Sequence, residues 1–554
     1  MSVATAHESV RVSSARDEVR SVRIVVALEP GLVSGHVADF VEWLVARPGV
    51  ECFAITSPEE SSAPSERFPG EAWLGRLDRN QILNNPILAR HLSRCEVPDD
   101  RLPRIASLRE LAGQPPDFVV MLGGGIRQDE LARECIEGAV AIDPAANDID
   151  RVALATIDQQ EASLPFRITC VDRSGSSQNL VQGALSTHRS IERTASACLR
   201  RMLQLLQTMI DARLATGGWR PDIVGVDTRH ADAQSVDDPR SGGPGPVGVQ
   251  DSVGPGTGAP IRHLARRAYG SLRSRMDRLA GIEEVWQVGV VHGHWRDADL
   301  REPVELQAPA RSILADPFLI HRDGRSYCFA EAMDLDEQRG YIVTYELSEP
   351  GPARFLGTAL EEGFHLSFPY LFEFEGELYM CPETHECGQI RVYRCTDFPL
   401  KWQPCAVLMD SVVAVDTMLF EHAGRWWMLT NLDPAGVGDL CSELHLFHAE
   451  SPLSSRWKAH PANPLIIDPE RARNAGLLRD GSKLFRVSQQ QGFERYGVST
   501  TIHEIVTLNR LFYEERAIRR IEPDVIAGAT GTHHLHGSGS MTVFDYRVRQ
   551  RVGR

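Results

Sequence analysis

Acidic and amide side chains recur at fixed distances from five glycines in the second half of the chain. These glycines are 52, 48, 57 and 58 residues apart, each between two short apolar or aromatic runs: Gly324, Gly376, Gly424, Gly481 and Gly539. Eight residues before them stand Asp316, Phe368, Asp416, Arg473 and Gly531, and seven residues after the first four stand Glu331, Glu383, Asn431 and Ser488. If each glycine turns a β-hairpin, both positions lie at the same end, because the two strands are antiparallel. The spacing therefore predicts carboxylates gathered on one rim.

Carboxylates gathered in this way can carry out chemistry on glycosidic bonds. Glycosyl transfer and hydrolysis use one carboxylate as base or nucleophile and a second, protonated one to assist the leaving group. The candidate catalytic residues are Asp316, Glu331, Glu383 and Asp416. Glu383 is the candidate proton donor, and Glu331 could trade roles with it. Hydrogen bonds to sugar hydroxyls, or to a phosphate of the donor, are expected from His365, Ser367, Arg473, Gln489 and His533.

Two other interpretations of these side chains stay open. Asp, Glu and His around a channel could hold Ca²⁺ or another divalent ion, although no fixed ligand spacing indicates a metal. Buried Asp and His side chains also commonly satisfy one another in structural hydrogen-bond networks. The expected small molecules are therefore an activated sugar donor and, as a second possibility, a divalent metal.

The elements that must position these residues are predicted to be propeller blades. A period near fifty with a strand, a Gly turn and a second strand is typical of a β-propeller blade. Five such units predict a five-bladed, all-β propeller over residues 284–550. Upstream, residues 21–220 alternate strand-like and helix-like runs, which predicts an α/β domain whose sheet is covered on both faces. The expected fold class is thus multidomain, with an N-terminal α/β domain and a C-terminal propeller.

The remaining segments are predicted to lead into these domains or to connect them. Residues 1–20 are polar and are expected to be a disordered lead. Residues 221–260 are predicted to be a linker, because eleven of the twenty residues from 241 to 260 are Gly or Pro. Residues 261–283 have a helical period and six arginines. This basic helix could dock as a connector on an acidic neighbour, or residues 261–281 could contact an anionic membrane surface.

Composition limits the classes of binding partner and the cellular compartments that are expected for this chain. The formal net charge of −16 argues against nucleic-acid binding, which needs a basic surface. Eleven scattered cysteines without a C-x-x-C motif predict neither a disulfide framework nor a zinc ribbon. The polar start of the chain lacks the apolar stretch of a signal peptide, so a cytoplasmic location is expected. The glycine run 123–125 could admit a ligand or simply form a tight turn.

Several segments resemble one family: 315-ADPFLI, 365-HLSFPYLFEFEGELYMCPET and 471-RARNAGLLRDGSKLFRVSQQQ. From about Glu284 to Arg547 the chain is similar to the propeller at the N-terminus of plant glucosamine inositolphosphorylceramide transferases, which is related to the arabinanase, invertase and levansucrase fold. The resemblance implies that Asp316 is the base or nucleophile and that Asp416 orients the sugar and adjusts its neighbour's pKa. The expected function is glycosyl transfer from an activated sugar in glycan or natural-product assembly, with a sugar nucleotide or glycan as partner.

Two alternatives accompany this expectation. The plant relatives carry a separate catalytic transferase domain, so a non-catalytic glycan-binding or scaffold protein is the main alternative. Residues 165–206 also look like part of a formyltransferase-type domain, a family that uses an Asn–x–His motif after a strand. The corresponding stretch, 138-GAVAIDPAAND, has no histidine, and only His36 or a distant residue could replace it. The N-terminal domain is therefore expected to be degenerate, and sugar N-formyl transfer is the third hypothesis.

Overall fold

The structure, a computed structural model, describes residues 21–56, 82–97, 101–111, 113–123, 127–219, 259–347 and 352–551. The predicted lead at 1–20 and nearly all of the predicted linker lie outside the described residues. Gly124 and Gly125 of the glycine run also lie outside them.

The N-terminal unit contains nine strands and five helices among the described residues. The strands are β1 Val22–Leu28, β2 Val33–Ser34, β3 Val50–Thr56, β4 Arg94–Cys95, β5 Arg104–Ile105, β6 Phe118–Met121, β7 Gly138–Asp143, β8 Ser163–Val171 and β9 Ser177–Ser186. The helices are α1 Gly35–Val45, α2 Pro86–Ala89, α3 Gln128–Arg133, α4 Ile149–Gln159 and α5 Ile191–Thr216. Short 3₁₀ turns occupy Arg90–Leu92 and Leu108–Leu111.

Seven of these strands form one mixed sheet in the order β5-β3-β1-β6-β7-β8-β9. β1 pairs in parallel with β3 and β6, whereas β8 and β9 are antiparallel to their neighbours. Ile24 and Val26 pack into the core that contains α1 and α5, and the alternate residues Val25 and Ala27 pack into the core on the opposite face. The expected sheet with two covered faces is present.

The C-terminal unit begins after helix α6 (Ala259–Ala280) and consists of β-sheets. Blade 1 comprises β12 Ser312–Arg322, β13 Arg325–Asp334, β14 Arg339–Leu347 and β15 Arg354–Leu360. Blade 2 comprises β16 Ser367–Phe374, β17 Glu377–Glu383, β18 Gln389–Asp397 and β19 Lys401–Asp410. Blade 3 comprises β20 Ala414–His422, β21 Arg425–Leu432, β22 Glu443–Ala449, β23 Lys458–Ala459 and β24 Ile466–Ile467.

Blade 4 comprises β25 Asn474–Asp480, β26 Lys483–Gln489, β27 Thr500–Leu508 and β28 Tyr513–Ile521. Blade 5 comprises β10 Ile282–His292, β11 Val304–Glu305, β29 Ala529–Gly531, β30 Leu535–Ser538 and β31 Met541–Arg551. Short 3₁₀ turns lie at His385–Cys387 and Pro523–Val525. In blade 5, β10 pairs with β31 from Ile282↔Arg551 to His292↔Met541, so the first and last strands of the propeller close the ring.

The five predicted turn glycines all lie in two-residue hairpin loops. Each has a positive φ, between 58° and 80°, which an L side chain rarely adopts. In blades 1 to 3 the residue before the glycine has a positive φ as well, as the type I′ hairpin turn requires. The prediction of five blades is confirmed.

Helix α6 is shorter at its end than predicted, and it docks on an acidic neighbour. It ends at Ala280 because Gly281, with a φ of 65°, stops the helix, and β10 then begins at Ile282 rather than near residue 284. Asp158 on α4 accepts hydrogen bonds from Arg262 Nε at 3.0 Å and from Arg266 Nη1 at 3.3 Å. These contacts are the ones that the connector interpretation expects.

The two units also contact each other directly through the loop between β21 and β22. Asp439 and Ser442 in this loop lie against Ser186 at the end of β9, whose backbone N–H and Oγ bond to Asp439 at 3.0 and 3.1 Å. Arg201 of α5 forms a buried ion pair with Glu443, with Nη2 and Oε2 2.6 Å apart. The α/β unit is therefore packed against blade 3 and is not held by the connecting segment alone.

Replacement of Ser186 by alanine is expected to lower the free energy of unfolding by about 1 kcal/mol, because one buried hydrogen bond to Asp439 is lost. The matched control is Ser177→Ala at the exposed start of the same strand, which should change stability by less than about 0.5 kcal/mol. Urea unfolding of both variants measures the difference. Equal stabilities would show that this contact contributes nothing to the joined structure.

Candidate functional site

Three repeat-equivalent residues have an unusual backbone conformation in blades 1, 2 and 3. Asp316, Phe368 and Asp416 have φ values of 50°, 46° and 49°, and each lies at a β-bulge in the first strand of its hairpin. Bulges with positive φ redirect side chains and are common next to functional sites. The same distortion in three blades places side chains from different blades close together.

The first cluster joins blade 1 to blade 5 through Asp316. His533 lies between two carboxylates, with Nε2 3.3 Å from Asp316 and Nδ1 2.9 Å from Asp545. Asp545 also accepts the backbone N–H groups of Asp316, His533 and His534, and Asp316 Oδ2 accepts that of Phe368 at 3.2 Å. Asp316 is therefore fixed by contacts with two neighbouring blades.

Burial determines the charges of this first cluster. It raises the pKa of Asp316 well above its usual range, because the charge of His533 only partly opposes it and neighbouring carboxylates reinforce it. Burial would lower the pKa of His533, but Asp545 and Asp316 raise it to about 9. The imidazolium in turn helps to keep the pKa of Asp545 low in spite of burial. Burial thus favours the neutral form of Asp316, whereas the contacts between His533 and Asp545 favour the charged forms of those two side chains.

The second cluster joins blades 2, 3 and 4 around Arg473. The Arg473 guanidinium lies 2.6 Å from Asp416 Oδ2 through Nε and 3.7 Å from Glu383 Oε2 through Nη2. His385 Nδ1 contacts Glu383 Oε1 at 2.7 Å, and Gln489 donates a hydrogen bond to Asp416 Oδ2 at 3.4 Å. Two buried carboxyl groups thus share one guanidinium and hydrogen-bond donors from neighbouring positions.

The pKa values of these two carboxyl groups move in opposite directions. For Glu383, burial would raise the pKa, but the bond from His385 and the charge of Arg473 outweigh it and lower the pKa. For Asp416, burial and the neighbouring Glu383 prevail over Arg473 and raise the pKa to about 6. Glu383 is therefore the more readily ionised of the two, and Asp416 takes up a proton first as the pH falls through about 6.

These directions differ from the roles that the sequence suggested. Glu383 was the expected proton donor, whereas its contacts keep it ionised. Asp316 was the expected base or nucleophile, whereas burial favours its protonated form. The structure gathers the predicted carboxyl groups, and which of them acts as acid and which as base stays a prediction.

The other predicted residues lie on the same rim. Glu331 contacts His365, with Oε1 and Nε2 3.2 Å apart, and this interaction raises the pKa of His365 in spite of burial. His365 also accepts the backbone N–H of Gly340 at 3.0 Å. Ser367 is buried and pairs across the hairpin with Glu383. Their roles in catalysis or in substrate binding stay predictions.

Four side chains of the site were not predicted from the sequence. The Tyr496 hydroxyl lies 3.2 Å from Gln489 Nε2, and the Tyr496 ring lies under the Arg473 guanidinium. The Trp286 ring centroid is 4.1 Å from that of His533. Asp545 and His385 complete the two clusters. His385 follows Glu383 by two residues, and that spacing could have indicated His385 as a site residue. Asp545 is six residues after Gly539, so the search at seven residues after each turn glycine does not find it.

One metal-ligating arrangement coincides with the first cluster. Asp316, His533 and Asp545 each offer a ligand atom, and these atoms lie within 4.8 Å of one another. Two carboxylates and an imidazole suit Zn²⁺ or another transition metal better than Ca²⁺, which prefers oxygen ligands. A divalent ion bound there would replace the proton that His533 carries between the two carboxylates.

The charge of His533 is expected to make stability depend on pH. Its pKa is raised above the unfolded value of about 6.5, so its contribution is complete below pH 6.5 and is lost as the pH rises through about 9. The free energy of unfolding should fall by about 2 kcal/mol over this interval, and His533→Gln should remove most of that slope. Urea unfolding of the wild type and of His533→Gln at pH 6, 7.5 and 9 measures this pH dependence. Parallel profiles for the two proteins would contradict a charged His533.

His36, the suggested substitute for a formyltransferase histidine, lies away from solvent in the α/β unit. Its Nε2 is 3.0 Å from Ser196 Oγ, and burial lowers its pKa to about 3. The imidazole is therefore neutral and packed between α1 and α5. This position favours a structural role for His36.

Comparison with known proteins bears on the propeller. The family model described as "Glucosamine inositolphosphorylceramide transferase 1, N-terminal" matches residues 303–528. The matched residues lie within the propeller, which is similar to this N-terminal segment. A protein named glucosamine inositolphosphorylceramide transferase 1 from Arabidopsis thaliana is 36% identical over 210 residues, which cover 37% of this chain and 27% of that protein. The protein of the same name from Oryza sativa subsp. japonica is 33% identical over 209 residues, which cover 37% of this chain and 28% of that protein. The chain thus spans just over a quarter of the length of these relatives.

The likenesses to solved structures are more distant. The catalytic domain of a GH62 α-L-arabinofuranosidase from Coprinopsis cinerea has 14% identity and a TM-score of 0.34, covering 47% of this chain and 97% of that chain. An exo-β-1,3-galactanase from Clostridium thermocellum has 9% identity and a TM-score of 0.34, covering 48% of this chain and 63% of that chain. Likenesses at this level carry no information about substrate or mechanism.

Proposed function

We propose that the propeller catalyses glycosyl transfer from an activated sugar. The observation that carries this proposal is the pair of carboxyl groups, Asp316 and Glu383, whose pKa values are shifted in opposite directions at one end of the ring. A protonated and an ionised carboxyl group are the acid and the base or nucleophile that chemistry at an anomeric carbon requires. The named activity of the plant relatives supports the same reaction class.

The proposed roles follow the protonation states. Asp316 donates its proton to the oxygen of the leaving group as the glycosidic bond breaks. Glu383 removes the proton of the acceptor hydroxyl or attacks the anomeric carbon directly. Asp416, whose pKa is about 6, repels the neighbouring Glu383 carboxylate when both are ionised and so tunes the basicity of Glu383. Arg473 keeps Glu383 ionised and offers a positive charge to a phosphate of the donor.

The relatives are named glucosamine inositolphosphorylceramide transferase 1, which supports a sugar and a glycolipid or glycan as the substrate classes. The proposed donor is a sugar nucleotide, and the proposed acceptor is a glycolipid or glycan. The match covers only part of each relative, so the acceptor is assigned here by class.

A non-catalytic glycan-binding or scaffold protein is the second candidate. Asp316, Glu331, Glu383 and Asp416 are between 3% and 9% exposed, and each contacts a basic side chain. Well-satisfied buried carboxyl groups also occur in purely structural networks. This candidate predicts sugar binding without turnover. The third hypothesis, N-formyl transfer by the α/β unit, predicts consumption of a formyl donor that does not need the propeller carboxylates.

The test incubates the whole chain with a panel of sugar nucleotides and glycan or glycolipid acceptors, and mass spectrometry follows donor loss and product mass. The control variant is Asp299→Asn, an exposed aspartate outside the site. Turnover by the wild type and by Asp299→Asn, with loss in Asp316→Asn, supports the proposal. Saturable binding of a sugar without turnover of any donor supports the second candidate instead.

A further inference from the structure

Helix α6 exposes its apolar side. Five large apolar side chains are more than half exposed: Ile261 73%, Tyr269 67%, Leu272 57%, Met276 61% and Leu279 86%. At about 100° per residue they cover only about 80° of the helix circumference, so they form one continuous stripe. A surface helix normally turns such a stripe toward the core. We call this set of five residues the α6 stripe.

The opposite side of α6 makes the contacts with the rest of the protein. His263 on that side is 3% exposed, and Arg262 and Arg266 hold Asp158 of α4. Near the other end, Asp277 accepts a hydrogen bond from Arg549 of β31 at 2.8 Å. These contacts fix the rotation of the helix, so the outward direction of the stripe is set by the fold. Within the described residues, nothing covers the stripe.

The charge around the α6 stripe is opposite to that of the chain. Residues 259–280 contain six arginines and one aspartate, whereas the whole chain has a formal net charge of −16. Arg273 and Arg275 are exposed beside the stripe, and Arg549 and Arg551 line a groove of about 570 Å³ at the end of the helix. An exposed apolar strip bordered by arginines is the pattern of helices that lie in a membrane interface.

The helix also lies at the end of the propeller that carries the site. From Ala280 the chain enters β10 at once, and the Trp286 ring on this strand contacts that of His533 in the first cluster, with the two ring planes tilted by 46°. A surface that holds α6 would therefore lie near the rim where the carboxyl groups gather.

We propose that α6 docks this protein on an anionic lipid surface, with the stripe in the headgroup region and the flanking arginines on lipid phosphates. A second copy of the chain is a poorer occupant, because two stripes in contact would bring two arginine-rich helices together. Anionic headgroups neutralise the same arginines, and each arginine near such a surface contributes roughly 1 kcal/mol to the binding free energy. No described helix is long and apolar enough to cross a bilayer, so the proposed contact is peripheral.

Vesicle flotation of the whole chain tests this inference. The probes are vesicles of phosphatidylcholine with about 30 mol% phosphatidylglycerol, and vesicles of phosphatidylcholine alone as the uncharged comparison. The wild type should float with the anionic vesicles and detach as salt is raised. The variant L272Q/M276Q/L279Q should reduce binding at least tenfold, because it removes most of the apolar area that would enter the interface. R273Q/R275Q should weaken binding to anionic vesicles in the same direction.

The matched control is L511Q/F512Q, which changes two apolar side chains that are each 65% exposed but lie away from α6. It should bind vesicles like the wild type. Thermal unfolding should show that every variant is folded, since all changed residues are exposed. The proposal fails if the wild type does not float with anionic vesicles, or if the stripe variant floats equally well. It also fails if the wild type binds no lipid and light scattering shows it to be a dimer that the stripe variant dissociates. None of these readouts uses turnover, so the result is independent of the proposed chemistry.

Discussion

Asp316→Asn should abolish glycosyl transfer and leave the protein folded. Loss of an essential proton donor is expected to lower kcat by roughly three orders of magnitude or more. Stability should change by less than about 1 kcal/mol, because Asn has nearly the shape of the protonated carboxyl group that burial favours at this position. Steady-state kinetics with the donor found in the screen, together with urea unfolding of the same preparation, measures both quantities.

The control for this result is the sugar affinity of the variant. If Asp316 acts in the chemical step, the Kd for the donor should stay within a few-fold of the wild-type value while kcat falls. A variant that keeps its turnover and loses only affinity would place Asp316 in substrate binding. That outcome would contradict its proposed role as the acid.

Arg473→Met should strongly destabilise the protein. The guanidinium holds Asp416 at 2.6 Å and helps to keep Glu383 ionised, so its removal leaves two buried carboxyl groups without their shared cation. Breaking a buried ion pair in this way costs about 3–5 kcal/mol. The loss should shrink as the pH falls toward 4, because both carboxyl groups are then protonated in the variant. Urea unfolding at pH 7.5 and pH 4.5 measures the loss and its pH dependence.

Two further variants separate this effect from a general loss of charge. Arg473→Met combined with Asp416→Asn should recover part of the stability, because only one carboxyl group then lacks a partner. Arg301→Met removes an arginine whose ion pair with Asp299 is exposed, and it should leave the free energy of unfolding near the wild-type value. A similar cost for Arg473→Met and Arg301→Met would show that Arg473 does not hold the carboxyl pair together.

The propeller could be predicted from the sequence because its hairpins follow a local rule. A two-residue loop requires a positive φ, and the five glycines mark those loops. The offsets of minus eight and plus seven then predict Asp316, Glu331, Glu383 and Asp416 on one rim. The rule fails in blade 5, where Gly531 ends a separate strand, β29, and the blade is completed by β10 from the start of the propeller. Ring closure is a long-range contact that spacing along the chain does not show.

The protonation states could not be predicted, because they depend on burial and on partners that are distant in sequence. His385 and Arg473 lower the pKa of Glu383, and burial between two blades raises the pKa of Asp316. Trp286 and Tyr496 join the site from outside the hairpin cores that define the repeat. The helical period and basic character of α6 were predictable, but the direction of its apolar stripe depends on its contacts with Asp158 and Arg549.

The most direct test of the central claim is a crystal structure of Asp316→Asn with the sugar donor bound. We expect the anomeric carbon to lie between residue 316 and Glu383, with the donor phosphate against Arg473. The Glu383 carboxylate should be within hydrogen-bond reach of the acceptor hydroxyl or within about 3–3.5 Å of the anomeric carbon. A donor bound at another place on the propeller, or in the α/β unit, while the two carboxyl clusters keep their contacts unchanged, would show that the rim is structural and would contradict the proposed glycosyl transfer at this site.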